Sequence, residues 1–369
     1  MPGEFMRVTM SPALHGDCLW VEYGNNRKRR RILIDGGPIG AFSILDKRIA
    51  DLPAGDRKFE LIVLSHVDTD HVDGLVRLFA ESPLRFAVDD VWFNGWRHLE
   101  QNHKLLGGMQ GEYFSALISK RAPGRWNKAF KGKAIIVPDG GGAPPVVKLA
   151  GGMKLTLLSP TPATLEKMRT HWKKDVVGKA IKPGDLEAAW KKLASDKKYL
   201  PPSKVLGPED QLAKLIAAQS RSDAAAPNGS SIAFLVEYAG KSCLFLADAH
   251  HGVVAPSLRE LLKVRKLKRL KVDAFKAAHH GSRGNTSVDL MSLIDAKYFL
   301  ISSNGQQFKH PDKEAIARMV GGGGRVKPVL CFNYRTKFNE YWFDEARQKA
   351  LGYSVKAPSD EFRGVTLAL

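Results

Sequence analysis

The stretch LSHVDTDHVDG carries two histidines and three aspartates directly after a short apolar run. Asp and His also cap helices and shape turns, which would account for one or two of them. Four crowded carboxylate and imidazole groups would repel one another or stay unsatisfied without a cation between them. The predicted metal ligands in this stretch are His66, Asp68, Asp70 and His71.

Similar side chains follow three other apolar runs. Asp35 closes ILID, Asp248 closes LFLAD, and His279 and His280 follow FKAA. Wholly apolar strands are typical of a sheet covered on both faces, and such sheets bring ligands together at the carboxyl ends of their strands. Carboxylate mixed with imidazole suits Zn, Mn or Fe better than Ca, which prefers oxygen ligands. The sequence therefore predicts one metal centre built from four strand ends.

Strand-like runs alternate with helical stretches along the 369 residues, which is typical of layered α/β architecture. DCLWVEYG and RRILIDGG flank the turn signal GNN, and SSIAFLVEYAG with KSCLFLADAH repeats that pattern. The repeat predicts two pseudo-symmetric halves in a single domain, residues 6–369. Within it, the Lys-rich segment 161–228 predicts a helical insertion. Residues 1–5 are interpreted as a vector-derived addition.

The composition excludes several classes of protein. Hydrophobic residues make up 44% and charged residues 26%, which is globular composition. No apolar run approaches the roughly 20 residues of a membrane span, so we expect a cytoplasmic protein without membrane contact. Cys18, Cys243 and Cys331 lie far apart without metal-type spacing and are expected to be reduced core residues.

Positive charge dominates the chain. Lys and Arg outnumber Asp and Glu 57 to 38, for a formal net charge of +19. This excess favours a nucleic-acid partner, DNA or RNA, through long-range attraction and counterion release. The basic stretch 259–271 precedes the late histidine pair and is expected to line an approach to the metal centre. Its candidate nucleic-acid-binding residues are Lys266, Lys268 and Arg269.

Taken together, the motifs resemble those of the metallo-β-lactamase superfamily. HGDC with ILIDGG is similar to its opening hairpin, SHVDTDH to its metal motif, FLAD to its bridging-aspartate strand and HHGS to its late histidine motif. NGSSIAFLVEYAG and ISSNGQQFKHP resemble segments of the competence DNA-uptake channel branch and its stand-alone relatives. The resemblance covers nearly the whole chain outside the insertion. It implies an α/β fold of the αββα sandwich type with two divalent ions.

The resemblance also implies a role for each ligand. His66 and Asp68 would hold one ion and Asp70 and His71 the other, with Asp248 as the bridge. One residue of the pair His279 and His280 would complete the second site, His280 being favoured, while the other would face the substrate. Asp35 would orient a ligand histidine. The residues expected to take part in catalysis are Asp70, Asp248 and His279.

Two positions depart from the family pattern. Asp68 stands where the family has His, so the first site is richer in oxygen and Mn becomes a rival to Zn. The family's middle histidine has no clear counterpart. His98 and His103 are candidates, although a lone histidine is more often a packing or surface residue. The first site could therefore be weakly occupied.

Two metal ions that activate a shared water predict hydrolysis. The first interpretation is a phosphodiesterase or nuclease acting on nucleic acid. The second is a hydrolase of a small phosphoester or other ester, because the superfamily includes such enzymes. The third is a nucleic-acid-binding or partner-regulated module with a weakly active metal site. Ser282, Asn304 and His310 follow the late motifs and are predicted to contact the substrate.

Overall fold

The computed structural model describes residues 3–99, 109–177, 184–193, 222–322, 326–360 and 363–369, without the side chains of 173–177. Two sheets pack face to face, and helices cover both outer faces. The predicted αββα sandwich is therefore confirmed. No helix in the described part of the chain has the length and apolarity needed to cross a membrane.

The first sheet combines a meander with parallel strands. Its described strands are β1 (Phe5–Met10), β2 (Leu19–Gly24), β3 (Arg29–Ile34), β5 (Leu61–Val63), β7 (Val91–Trp92) and β16 (Val365–Ala368), beside a separate pair, β4 (Lys58–Phe59) and β6 (Ala87–Val88). The order is β16-β1-β2-β3-β5-β7. The hairpin predicted around GNN is confirmed as β2 and β3, and β3, β5 and β7 then run parallel.

The second sheet repeats this plan. Its described strands are β8 (Val146–Lys148), β9 (Lys154–Ser159), β10 (Ala233–Tyr238), β11 (Lys241–Phe245), β12 (Leu270–Lys276), β13 (Ile294–Ile301), β14 (Val329–Phe332) and β15 (Ser354–Lys356). They are ordered from β15 to β8 across the sheet. The strands β8 to β11 pair antiparallel and β11 to β15 pair parallel. Each half therefore passes from an antiparallel hairpin to parallel strands.

Helices connect the strands and cover the sheets. The described α-helices are α1 (Phe42–Ala50), α2 (Thr69–Ala80), α3 (Trp96–Leu99), α4 (Met109–Arg121), α5 (Pro162–Val177), α6 (Leu186–Leu193), α7 (Ala226–Gly229), α8 (His251–Arg265), α9 (Val288–Ser292), α10 (Lys313–Gly321) and α11 (Glu345–Leu351). Two of them, α5 and α6, fall in the predicted insertion, and α7 overlaps its end. The insertion stays a prediction, because 178–183 and 194–221, with the helical stretch DQLAKLIAAQS, lie outside the described residues.

Alternation along the strands produces the layers. In β2, Leu19 and Val21 belong to the core between the sheets, whereas Trp20 packs in the core under α1 and α2. In β10, Val236 faces the first sheet and Leu235 faces the helices of the second half. The predicted cysteine state is confirmed, since Cys18, Cys243 and Cys331 are free and buried.

Candidate metal centre

Four loops at the carboxyl ends of strands meet at one edge of the sandwich. They follow β3, β5, β11 and β12. Asp35, Ala247, His279 and His280 in these loops have φ of 59°, 47°, 46° and 54°, a left-handed conformation that is uncommon outside glycine. Such backbone conformations cost free energy and persist only where the surrounding structure holds them in place. They are concentrated at functional sites.

Two glycines let the loops approach closely. A Cβ on Gly16 would lie 1.9 Å from the carbonyl oxygen of Asp70. A Cβ on Gly74 in α2 would lie 2.0 Å from the carbonyl oxygen of Gly36, which follows Asp35. The backbones of HGDC, ILIDGG and HVDG therefore touch only because these positions lack side chains. These contacts bring together the loops that carry Asp35, Asp70 and His71.

The carboxylate of Asp248 lies at the centre of the cluster and is 2% exposed. Its Oδ2 lies 3.8 Å from Nε2 of His66, 3.6 Å from that of His279 and 3.7 Å from that of His280. Its Oδ1 lies 3.5 Å from Nε2 of His71. Four histidines thus direct the same ring nitrogen toward one buried carboxylate.

Each of these histidines uses its other nitrogen, Nδ1, for a hydrogen bond directed away from Asp248. The acceptors are Ser65 Oγ for His66 at 3.0 Å, Asp35 Oδ2 for His71 at 2.8 Å, Asn285 Oδ1 for His279 at 3.0 Å and the carbonyl oxygen of Ser302 for His280 at 3.0 Å. An Nδ1–H held in this way leaves the lone pair on Nε2, the form in which histidine binds a metal. The position of Asp35 matches the orienting role implied by the resemblance.

Unpaired polar atoms show that these residues fit a cation. Nε2 of His66 and Oδ1 of Asp248 are buried without a hydrogen-bond partner among the described residues. Leaving such atoms unpaired costs free energy, which an ion between them would offset. Ligand atoms of His66, His71 and Asp248 lie within 4.8 Å of one another, the spacing expected of donors around a metal centre. The donor set, imidazole with carboxylate, suits a transition metal such as Zn or Mn.

The donors divide into two groups around Asp248. In the second ligand group (Asp70, His71 and His280), Asp70 Oδ2 lies 3.2 Å from Nε2 of His280 and 3.8 Å from Nε2 of His71. The preference for His280 as ligand of this group stays a prediction.

The first ligand group consists of His66, Asp68 and His279, and Nε2 of both histidines faces Asp248 Oδ2. Asp68 Oδ2 is 3.8 Å from Nε2 of His66. His279 is near enough for its charge to act on the pKa of both His66 and Asp68. His279 is therefore a candidate ligand of this group. Asp68 begins α2 without a side-chain hydrogen bond to its backbone, so capping does not explain it.

The electrostatics of the cluster agree with a missing positive charge. Burial, with the charges of Asp70 and Asp248, raises the pKa of Asp68 to about 7. Burial, with the charge of His71, lowers the pKa of His66 to about 3, so its imidazole is neutral and able to bind a metal. Burial alone would raise the pKa of Asp248, but the neighbouring histidines, His279 first, hold it well below its usual value.

His98, a candidate for the family's middle histidine, does not reach the cluster. Its ring packs edge-on against Trp126 at 5.0 Å, and its Nε2 lies 3.3 Å from Nδ2 of Asn127. The expectation that His98 could be a ligand is therefore wrong, and its packing against Trp126 accounts for this histidine. His103 lies outside the described residues.

The structure adds a buried ion pair that sequence reasoning missed. Nζ of Lys276 lies 2.7 Å from Asp17 Oδ2, and neither residue is accessible to solvent. Oδ1 of Asp17 lies 3.4 Å from Nδ1 of His280, on the side of the ring away from Asp70. Asp17 therefore helps to hold the ring of His280 with its Nε2 directed toward Asp70 and Asp248. In the sequence, only the polar residues His15 and Asp17 of HGDC, just before β2, pointed to such a pair.

Asp223 and Asn285 support His279 in the same manner. Asp223 Oδ2 lies 3.3 Å from Nδ1 of His279, and Nδ2 of Asn285 donates to Asp223 Oδ2 at 2.9 Å. Asp223 comes from the loop SDAAAPNGS, which the sequence marked only as a loop. Nothing in its local pattern connects it with a histidine 56 positions later.

The three candidate substrate contacts occupy different environments. Ser282 Oγ accepts a hydrogen bond from the backbone of Gly284 at 3.2 Å, and Asn304 Oδ1 accepts one from the backbone of Gln306 at 3.0 Å. Both side chains thus shape turns. The ring of His310 lies 5.2 Å from that of His279, beside the centre. Their roles toward a substrate stay predictions.

A cavity of about 310 Å³ opens onto the centre. Its described lining consists of Val67, Asp68, Thr69, Asp70, Gln110, Met168, His171, Trp172, Pro227 and Phe308. One side thus offers two carboxylates of the cluster, and the rest is largely apolar or aromatic. Phe308, which is 43% exposed, stacks on His310.

The basic residues proposed for nucleic acid lie elsewhere. Lys266, Lys268 and Arg269 precede β12, whereas the ligand histidines follow it, so seven residues of strand, roughly 23 Å, separate them. The expectation that this stretch lines an approach to the centre is therefore wrong. Arg269 also has a structural role, because its Nη2 donates to the carbonyl oxygens of Met291 at 3.2 Å and Gly322 at 2.8 Å.

Comparison with known proteins adds a fold-level likeness. No family model matches the sequence, and no curated protein matches it. Similar solved structures include the metallo-β-lactamase fold protein YhfI from Bacillus subtilis, with 11% identity, a TM-score of 0.41 and coverage of 99% of this chain and 100% of that one. Zn²⁺-bound PqqB from Methylobacterium extorquens has 13% identity, a TM-score of 0.41 and the same coverage. The diiron β-hydroxylase CmlA from Streptomyces venezuelae has 11% identity and a TM-score of 0.39, covering 100% of this chain and 54% of that one. These likenesses concern the fold alone.

Proposed function

We propose that this chain is a metal-dependent hydrolase whose substrate is a phosphodiester, with nucleic acid as the first substrate class. The observation that carries the proposal is the convergence of four histidine Nε2 atoms on the buried carboxylate of Asp248, with every Nδ1 bonded outward. Divalent ions bound there would lower the pKa of a water and offset negative charge on the attacked group.

Each group of residues would have its own role. The first and second ligand groups would each hold one ion, Zn or Mn, and Asp248 would be shared. Asp35 and Asp223 keep the rings of His71 and His279 in the binding orientation. His310 lies against His279 and would donate a hydrogen bond to a phosphate oxygen or to the leaving group. Burial lowers its pKa, so it is neutral near pH 7 and carries one N–H.

The net charge of +19 supports a polyanionic substrate. So does the resemblance of NGSSIAFLVEYAG and ISSNGQQFKHP to segments of the competence DNA-uptake branch.

The cavity favours a second candidate, a hydrolase of a small phosphoester or carboxylic ester with an apolar group. Its described lining contains no Lys or Arg but includes Met168, Trp172, Pro227 and Phe308. An apolar wall beside two carboxylates suits a compact substrate whose ester reaches the ions while its apolar part packs opposite.

Three substrates distinguish these candidates. The protein is stripped of metal, reloaded with Zn or Mn, and assayed with bis(p-nitrophenyl) phosphate, p-nitrophenyl butyrate and labelled single-stranded DNA. We expect diester and DNA cleavage that EDTA and Asp248→Asn abolish, while the exposed control Asp51→Asn leaves turnover unchanged. Turnover of the butyrate alone would replace the proposal by the second candidate. A fully metal-loaded protein that cleaves none of them would overturn it in favour of a binding module.

A further inference from the structure

A groove of about 810 Å³ lies at the end of the second sheet opposite to the metal centre. Its floor is formed by β8 to β12 near the turn Ala239–Gly240, and Arg265 at the end of α8 borders it. Four lysines line this basic groove, each on a different strand: Lys148, Lys154, Lys241 and Lys271. The groove shares none of its described lining with the metal centre.

Two of these lysines are held in an unfavourable arrangement. Lys148 and Lys154 are direct partners in the antiparallel pair β8 and β9, so their side chains project on the same face. Like charges that oppose each other across two strands destabilise the pair. A bound anion would remove that cost.

The acidic groups nearby are already engaged. Glu237, the carboxylate in the described lining, is the other cross-strand partner of Lys154. Its two oxygens each accept a hydrogen bond from Arg265 at 2.7 Å. Asp273 on β12 accepts one from the backbone N–H of Ser242 at 2.9 Å. Four lysines and Arg265 thus stand against Glu237 and Asp273, so the groove keeps a net positive charge.

The neighbouring loop extends the positive surface. Lys266 and Lys268 lie between Arg265 and Lys271, and both are exposed. The strands β8 to β12 span about 19 Å, at 4.8 Å between neighbours. Lys148, Lys154 and Lys271 thus line the groove on β8, β9 and β12, with the charged loop beside Lys271, whereas Lys241 pairs with Tyr238 next to the turn, on the other face of β11 from Ser242.

We infer that the basic groove binds the phosphate backbone of single-stranded nucleic acid, at a site separate from the metal centre. A flexible strand follows a concave face, and positively charged grooves that track the backbone are the usual means of binding single strands. The inference concerns binding alone and holds whether or not the metal centre cleaves nucleic acid.

The test compares two variants that each lose four positive charges. The groove variant carries Lys148→Gln, Lys154→Gln, Lys241→Gln and Lys271→Gln. The control carries Lys47→Gln, Lys131→Gln, Lys191→Gln and Lys349→Gln, at exposed positions elsewhere. Binding of a labelled oligothymidylate is followed by fluorescence anisotropy over a range of salt concentrations, with EDTA present. Hydrolysis of bis(p-nitrophenyl) phosphate is measured in parallel.

The groove variant should bind at least about tenfold more weakly than the wild type. The slope of log affinity against log salt concentration should also be flatter by up to about 3, because each phosphate that a lysine neutralises adds roughly 0.7 to that slope. The control should bind like the wild type, and both variants should hydrolyse the small diester equally well. Equal losses of affinity in the two variants would show that binding depends on net charge and not on the groove, and would overturn the inference. So would unchanged binding by the groove variant, or a wild-type preference for phosphatidylserine vesicles over the oligonucleotide.

Discussion

Asp35→Asn isolates the contribution of an outer carboxylate to metal binding. Asp35 is fully buried and accepts three hydrogen bonds, from the N–H and Oγ–H of Ser65, each at 2.7 Å, and from Nδ1 of His71 at 2.8 Å. Asn has the same shape and also tolerates the left-handed φ of 59°, so the backbone gains little strain. Its NH₂ group, however, accepts no hydrogen bond, whereas Asp35 Oδ2 accepts one from the serine hydroxyl and one from the histidine.

The expected loss follows from that missing acceptor. His71 is no longer held with its proton on Nδ1, and removal of such partners typically costs 10- to 100-fold in metal affinity, or about 1.4–2.7 kcal/mol. Competition with a chromophoric chelator measures the affinity, and near-UV circular dichroism checks the fold. The control Asp51→Asn, at an exposed residue paired with Lys47, should bind metal like the wild type.

A folded Asp35→Asn protein with wild-type metal affinity would refute the orienting role. If that variant does not fold, Ser65→Ala serves instead, because it removes one hydroxyl from the same network. A smaller loss of affinity is then expected, and an unchanged affinity of Ser65→Ala for the metal would refute the orienting role as well.

Three further changes test other parts of the account. His279→Ala should lower the metal content from two ions to one per chain by elemental analysis, whereas His98→Ala should leave it at two; equal contents would place His279 outside the first ligand group. Burial, with the charge of Asp185, raises the pKa of Glu112 to about 7 from 4.5, so its ionisation destabilises the fold increasingly between those pH values. Glu112→Gln should therefore raise the free energy of unfolding by up to about 3 kcal/mol near pH 8 and by little near pH 4, as urea titrations would show; the same gain at both pH values would contradict this. If the second candidate function holds, Phe308→Ala should raise KM for aryl esters more than for methyl esters, and equal changes would show that the ring does not contact the apolar group.

The sequence predicted the part of the centre that local pattern determines. The apolar strands β3, β5, β11 and β12 each end in residues that could bind a metal, and parallel neighbours place their carboxyl ends at one edge. That rule was sufficient to bring Asp35, Asp248 and the loop after β5 together. It could not predict how each late histidine is turned toward Asp248, because that depends on the backbone turn after β12.

The remaining parts depend on contacts distant in sequence. Asp17 and Lys276 form their buried pair across 259 positions, and Asp223 reaches His279 from within the predicted insertion. The stretch 259–271 is close to the ligands in sequence but lies at the other end of β12, since the chain must run the length of the strand between them. Proximity in sequence was misleading there because strand direction decides which end of a sheet a residue reaches.

The central claim is that Asp248 joins two ions held by the first and second ligand groups. Anomalous diffraction from crystals of the zinc-loaded protein, recorded on both sides of the zinc absorption edge, tests this most directly. The account predicts two peaks about 3.5–4 Å apart with Asp248 between them, one beside His66 and one beside His71. Peaks that lie elsewhere, or full zinc loading with no peak beside Asp248, would contradict it.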